Sequence, residues 1–356
     1  MDEDSSACGS SEKAGRKTRE GENMKVNFAV IGTNKITDKF LAAAGKTEEF
    51  CLAGVYSRTM ERALEYGKKH GARLFFNSLE ELAACGQIDA VYIASPNCCH
   101  AEQSIQMMEA GKHVLCEKPV ASNAGEFRAM EGAALRNKVI LLEAMRSVYT
   151  PGFRAVKENL NKLGRIRRAT LQYCQYSSRY DNFKKGIIEN AFKPELSNGA
   201  LMDIGSYCVH FMAALFGKPQ NIQSSSLKLL NGVDGAGTIL ADYEGMQAEL
   251  IYSKITDSRL PSQIQGENAS MIIQEVSNPQ KAVIYYRSGG AEELEISSID
   301  TDMTYEVLEF IRLIQEKQYD HPYLANSRME MEIMDQARGQ QGILFPADRE
   351  ENKICG

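Results

Sequence analysis

A short apolar run that ends in a glycine and passes straight into a helix constrains this chain more than any other feature. Val26-Asn27-Phe28-Ala29-Val30-Ile31 is followed by Gly32-Thr33-Asn34-Lys35-Ile36-Thr37. A run with no polar face reads as a strand buried inside a parallel sheet. The helix that follows turns its free N–H groups toward the glycine, where they can hold a phosphate. The pattern then recurs. Strand-like stretches over 51–56, 73–76, 90–94, 113–116 and 139–142 alternate with helix-like stretches over 36–44, 60–69, 79–84, 101–110 and 124–136. Such alternation predicts an α/β domain of the Rossmann type, a doubly wound parallel sheet with right-handed crossovers.

Beyond residue 145 the pattern changes. Residues 167–176 alternate polar and apolar, as in a half-buried strand. Stretches 238–243 and 247–252, joined through Glu244-Gly245-Met246, read as a hairpin, and further strands are expected over 270–275, 282–286 and 292–296. Helices are expected over 199–216, 305–316 and 327–340. The chain of 356 residues suits two domains. The division expected is a nucleotide-binding domain over 24–145 and a second α/β domain, with a mixed or antiparallel sheet, over 146–345. A polar, Ser/Gly/Glu-rich tail over 1–23 is expected to be disordered, and residues 346–356 are expected to form a C-terminal tail.

Charge and cysteine usage narrow the partners. Net charge is −6 with acids and bases interspersed, which offers no footprint for nucleic acid and makes a small molecule the default partner. No apolar run reaches the ~18 residues of a membrane span, and the polar N-terminus lacks a signal-peptide core. Nine cysteines, an odd number with no C-x-x-C spacing, argue against a disulfide framework or a zinc site and for a reducing, cytoplasmic setting. The adjacent pair Cys98-Cys99 is either reactive or an ordinary loop feature, and the second is favoured.

Four motifs carry chemistry. In the turn after the first strand, Gly32 stands where a dinucleotide fingerprint has its first glycine. Asn34 stands at the second, as the residue that best tolerates a left-handed backbone, and Thr37 at the third. Thr33, Lys35 and Ile36 complete the phosphate-facing turn. The second strand ends in Tyr56-Ser57-Arg58, with no carboxylate for a ribose 2′-hydroxyl. Arg58 is either a solvated arginine at a helix start or a partner for a 2′-phosphate, which favours NADP over NAD. Ser95-Pro96-Asn97, with His100 beyond, follows the fourth strand at the sheet edge where such folds bind ligands. Last, Gly111-Lys112-His113-Val114-Leu115-Cys116-Glu117-Lys118-Pro119 runs a strand into two charges and a proline, with Lys118 aimed at the crevice.

Together with Asn198-Gly199-Ala200-Leu201-Met202-Asp203-Ile204-Gly205-Ser206-Tyr207, these motifs give the chain a clear resemblance to the Gfo/Idh/MocA oxidoreductases over residues 24–345. The resemblance implies a Rossmann domain followed by an α/β domain with a large, open, mostly antiparallel sheet, often used for homodimer formation. It also implies that Lys118 is the catalytic lysine, that Glu117 contacts the nicotinamide ribose region and that Asp203 helps hold substrate. Tyr207 stands where many relatives carry histidine, as in the glucose–fructose oxidoreductase and dihydrodiol dehydrogenase branches.

Residue chemistry agrees. Asp203 and Tyr207 lie four apart on an expected helix and would share a face. An ammonium such as Lys118 near the Tyr207 phenol is expected to lower its pKa and make it an acid/base. His210 is weighed as a core histidine rather than a site residue, from the apolar Val209, Phe211 and Met212 around it. Tyr173, Tyr176, Tyr180 and Phe183 either line a sugar pocket or belong to core and sheet surface, and Arg179 or Lys184 could touch substrate hydroxyls. The expectation is an NAD(P)-dependent dehydrogenase, NADP-preferring, that moves hydride to or from a sugar, cyclitol or vicinal diol. The competing classes are a non-catalytic NAD(P)-sensing regulator and a glycosidase that recycles bound NAD.

Overall fold

The computed structural model describes residues 25–298 and 303–349. The tail expected over 1–23, and all but the first four residues of the tail expected over 346–356, lie outside the described residues. In the first part of the chain β1 (Val26–Ile31), α1 (Lys35–Ala44), β2 (Phe50–Tyr56), α2 (Met60–Lys69), β3 (Leu74–Phe76), α3 (Leu79–Ala84) and β4 (Ala90–Ile93) follow one another. Next come α4 (His100–Glu109), β5 (His113–Cys116), α5 (Ala124–Asn137) and β6 (Leu141–Glu143). The six strands form one sheet in the order β3-β2-β1-β4-β5-β6, with every neighbouring pair parallel. That order puts a topological switch point between β1 and β4, and ligands of such sheets bind at the C-terminal ends of those strands. The last strand starts two residues later than the pattern suggests, with the Ile140 N–H bonded to His113 Nδ1 at 2.9 Å and ladder pairing beginning at Leu141.

The later part of the chain adds α6 (Pro151–Glu158), β7 (Ile166–Cys174) and α7 (Ser178–Lys184). A π-helical turn (Leu201–Gly205) then runs directly into α8 (Ser206–Phe216). Seven strands follow: β8 (Asn221–Lys228), β9 (Asp234–Tyr243), β10 (Met246–Ser253), β11 (Ser262–Gly266), β12 (Ala269–Ile273), β13 (Ala282–Tyr286) and β14 (Ala291–Glu293). Helices α9 (Met303–Glu316) and α10 (Pro322–Gln341) complete the order. The second sheet has eight strands in the order β14-β13-β12-β11-β7-β10-β9-β8 and is antiparallel except where β7 pairs with β10.

One face of this second sheet is covered by α8 and by α10, while α9 returns to the first sheet. There Phe310 packs on Phe28, with ring centroids 5.8 Å apart. Phe40 of α1 stacks on Tyr92 of β4 at 3.7 Å and lies 6.3 Å from Phe28, so α1 and α9 pack on the same face of β1. The segment Pro194–Phe216 is long and apolar enough to cross a bilayer, but 83% of its apolar window is buried against the sheet and its neighbours, as in a core helix.

The first turn shows what Gly32 does. Its φ is +105°, and a Cβ placed there would stand 2.5 Å from the carbonyl oxygen of Ala94. The glycine therefore lets β1 turn sharply while lying against the end of β4. Asn34 departs from expectation: its φ is −114°, an extended rather than left-handed backbone. It serves instead as the N-cap of α1, its Oδ1 accepting from the N–H groups of Ile36 (2.9 Å) and Thr37 (3.3 Å). Its Nδ2 donates to Ala94 O at 2.7 Å, and the Thr37 hydroxyl donates to Gly32 O at 2.9 Å. Side chains thus fasten the turn that glycines usually make. Replacing Gly32 by alanine adds backbone strain to a steric clash, and is expected to destabilise the protein by about 2–4 kcal/mol in urea unfolding.

Candidate active site

Lys118 lies just past the end of β5 and is joined to Pro119 by a cis peptide bond. Buried polar groups hold the backbone on both sides. His100, 1% exposed, sits beneath the turn with Nδ1 2.9 Å from Pro119 O and Nε2 3.0 Å from Ser95 O. Its place is therefore under the Ser95 and Pro119 loops, as a tie between them. Glu117 is buried as well. It accepts from the Tyr92 hydroxyl at 2.5 Å and, at its other oxygen, from the Lys118 N–H at 3.3 Å. Burial pushes the Glu117 carboxyl up, against the opposing pull of Tyr92 and Lys118.

From this platform the Lys118 ammonium reaches across to the π-helical turn. It donates to Asp203 O at 2.5 Å and to Asp203 Oδ1 at 3.1 Å. The second carboxylate oxygen is taken by Lys254, at the end of β10, at 2.6 Å. Lys254 is 2% exposed; it also donates to Ala191 O at 2.9 Å and stands 4.7 Å over the Phe192 ring. One carboxylate therefore sits between two ammonium groups. Burial works against Lys118, but Asp203, Tyr207 and Glu117 together raise its pKa above the ordinary value. Burial likewise opposes ionisation of Asp203, and the two lysines outweigh it, holding the carboxyl well below the usual carboxylate range.

Tyr207 completes the cluster. Its ring lies 5.0 Å from the Lys118 ammonium and 5.5 Å from the Arg146 guanidinium, and meets Tyr173 edge-on at 5.6 Å. Asp203 and Tyr207 are not two positions of one regular α-helix: Asp203 sits in the π-helical turn and Tyr207 at the start of α8, with Lys118 between them. The phenol also departs from expectation. Burial raises its pKa, and the pull of Lys118 and Arg146 does not overcome it. Tyr207 thus keeps its proton at neutral pH.

The nucleotide-facing turn lies at the same edge of the first sheet. The N–H groups of Asn34 and Lys35, at the positive end of α1, have no acceptor among the described residues and suit an anion. Thr33 and Ile36 are half-buried beside them, and the Lys35 side chain is exposed. Ser57 donates its N–H to Phe76 O at 3.0 Å at the end of β2, and Arg58 is exposed next to it. Arg62, one turn into α2, was not visible in the motifs. Its guanidinium donates to Thr33 Oγ1 and Thr33 O, both at 3.1 Å, and so overhangs the glycine turn. An acidic residue at the end of β2 is absent and two guanidinium groups stand near, which fits a nucleotide bearing an extra phosphate on its adenosine ribose. Asn97 ties this edge to the later part of the chain, donating to Ser197 O at 2.9 Å and Asn198 Oδ1 at 3.2 Å.

Other candidates lie elsewhere. Arg179 is 3.6 Å from Glu189, and Lys184 pairs with Asp181 at 2.8 Å, both on the exposed surface of α7. Tyr180 and Phe183 pack with Phe192 and Val233 in a small separate core. Cys98 and Cys99 are neighbouring thiols 3.8 Å apart, and burial pushes Cys98 up to about 11, which leaves it unreactive at neutral pH. His210 is a core histidine, 1% exposed. Lys254, Arg62, Arg146 and Tyr92 escaped detection because each reaches the site across a long sequence separation and belongs to no local motif.

Comparison with known proteins agrees with this geometry. A family pattern described as "Oxidoreductase family, NAD-binding Rossmann fold" matches residues 26–145, and one described as "GFO/IDH/MocA C-terminal domain" matches residues 153–272. The chain is 47% identical over 326 residues to scyllo-inositol 2-dehydrogenase (NADP(+)) of Bacillus subtilis (strain 168), covering 91% of this chain and 99% of that protein. It is 26% identical to the human trans-1,2-dihydrobenzene-1,2-diol dehydrogenase, covering 92% of this chain and 100% of that protein. Among solved structures, a 3-ketoreductase from Actinomadura kijaniata superposes with a TM-score of 0.79 at 20% identity, covering 89% of this chain and 98% of that one.

Removing Lys254 deletes one charge-assisted bond to Asp203 and leaves the other in place. Lys254→Met is expected to lower stability by about 1.5–3 kcal/mol in urea unfolding, and Asp203→Asn in that background should add a further loss of comparable size, because it leaves the buried Lys118 ammonium without its carboxylate.

Proposed function

The chain belongs to the GFO/IDH/MocA family of NAD(P)-dependent oxidoreductases, and we propose that it interconverts a secondary alcohol of a cyclitol or related polyol with its ketone, using NADP. Sugars and vicinal diols are the neighbouring substrate classes. The observation that carries the proposal is the Lys118–Asp203–Lys254 charge cluster set against the Tyr207 phenol at the C-terminal edge of the parallel sheet. The substrate class follows from the 47% identity to the Bacillus subtilis inositol dehydrogenase over nearly its whole length.

When bound, the nicotinamide would supply or accept the hydride. The protein's own groups do the rest. The first turn of α1, Gly32 through Ile36, holds the pyrophosphate, while Ser57, Arg58 and Arg62 meet the adenosine end. Ser95, Pro96, Asn97 and Glu117 line the path to the nicotinamide end, with His100 beneath them. In the reducing direction Tyr207 gives its proton to the carbonyl oxygen as that oxygen gains charge. Lys118 and Arg146 stabilise the phenolate left behind. Asp203, with both ammonium groups on it, is held as an anion able to accept from a substrate hydroxyl without taking its proton. The trio of Lys118, Asp203 and Lys254 carries a net positive charge, which suits an oxyanion in the transition state.

We further infer a nucleotide-binding unit over 24–145 and a substrate-binding unit over 146–345. The open face of the eight-stranded sheet, where residues such as Gln172, Cys174, Gln274 and Tyr285 line a cavity of about 660 Å³, suits pairing of two copies. The thiols of all seven described cysteines suit a reducing, cytoplasmic setting.

Steady-state assays with scyllo-inositol and NADP, and with the corresponding ketone and NADPH, test the proposal. Tyr207→Phe is expected to reduce kcat by about 10²- to 10⁴-fold, and Lys118→Ala by a comparable factor. No turnover on any cyclitol, sugar or diol would sink the assignment. Arg58→Ala and Arg62→Ala should each raise KM for NADPH about 10- to 100-fold while leaving that for NADH nearly unchanged. Because the Tyr207 pKa is raised above about 10, reduction should hold a constant kcat through neutral pH and fall only in strong alkali. Oxidation, which needs the phenolate, should accelerate as pH rises across the same range.

A further inference from the structure

Three buried ionisable groups take no part in the chemistry above. Glu143 ends β6, His210 lies in α8 three residues after Tyr207, and Glu330 lies in the middle of α10. Their side chains are at most 1% exposed, and His210 Nδ1 stands 2.6 Å from Glu330 Oε2 and 3.5 Å from Glu143 Oε2. Glu143 is further engaged: its Oε2 accepts from Ser327 Oγ at 2.6 Å and its Oε1 from the Val120 N–H at 3.0 Å. Burial opposes the charge on His210, but Glu330 and Glu143 raise its pKa to about 10. Burial also works against Glu143, and His210 and Ser327 keep it ionised. Burial and the neighbouring Glu143 charge push Glu330 far up. The surroundings thus favour the charged forms of His210 and Glu143 and the neutral form of Glu330.

A buried ion pair adds little stability over apolar packing of the same volume, so its use here lies elsewhere. The two ends of the pair lead to the two halves of the active site. Val120 is two residues from Lys118, and His210 is one helical turn from Tyr207. The rest of the Lys118 segment is tied to the first sheet through His100 and Glu117, while Glu143 holds this segment at the Val120 N–H and also faces His210 of α8. We propose that Glu143 and His210 are positioning residues: their buried pair fixes the Lys118 segment and the Tyr207 helix at one separation, and so sets the reach of Lys118 to Asp203 and Tyr207. The proposal rests on the roles given to Lys118 and Tyr207 above.

The test compares Glu143→Gln, which keeps an acceptor for Val120 N–H and removes the charge, with His210→Gln, which leaves the Glu143–Val120 bond in place, and with the double variant. Thermal melts establish that each is folded. The expected result is a fall in kcat of about 10- to 100-fold in either single variant, with the Kd for NADPH changed less than about 3-fold, within the scatter of one weak contact. The double variant should be no worse than the poorer single one, because the residues act as a unit. Hydrogen exchange read without substrate should quicken in the segments containing Val120 and Tyr207 together. Unchanged kcat and exchange, or losses that multiply in the double variant, would overturn the proposal. So would a wild-type protein that purifies with one equivalent of a divalent metal at this cluster, since the three side chains would then be ligands. The exchange readout needs no turnover, so a wild type inactive on every polyol would defeat the proposed function and leave this test standing.

Discussion

Everything in the site depends on one carboxylate holding two ammonium groups. Alone, the buried Lys118 would shed its proton, and the buried Asp203 would keep one. Together they stay charged, and Lys254 on the far oxygen makes the trio positive rather than neutral. That arrangement needs three parts of the chain to meet: the end of β5, the π-helical turn before α8 and the end of β10. The π-helical turn is central to this. It widens the helix where Asp203 must present both its carbonyl and its carboxylate to Lys118, a geometry in keeping with the use of such turns at functional sites.

The first sheet was legible in the sequence almost to the residue, for a physical reason. Strands buried on both faces are written as unbroken apolar runs, and glycines and caps punctuate the helices between them. Helices α2 and α3 begin and end where the pattern places them. The second sheet is harder to read. β8, Asn221–Lys228, is an edge strand of mostly polar residues, and β11, Ser262–Gly266, carries two glutamines that point off the core. Neither has the alternation that marks a half-buried strand, and both were missed, as were the short helices α6 and α7.

Site residues divide along similar lines. Those in local motifs, such as Gly32, Glu117, Lys118, Asp203 and Tyr207, could be proposed from spacing and from the family resemblance. Lys254 could not, because a lysine at the end of a strand looks like any solvated lysine until the strand is placed beside Asp203. Nor could the sign of the Tyr207 shift be read. Proximity to an ammonium argues for a lowered pKa, and only the completeness of its burial reverses the balance.

Asn34 has a consequence for how the protein meets its nucleotide. A glycine-rich turn is loose until a pyrophosphate orders it, and part of the binding free energy is then spent on that ordering. Here the cap on Ile36 and Thr37, the bond to Ala94 and the hydroxyl of Thr37 fasten the turn from within. On the proposed reading, nucleotide would meet a docking place already set. Association at this end should therefore run at the pace of diffusional encounter, helped by the guanidinium groups of Arg58 and Arg62, and not at the pace of a loop finding its shape.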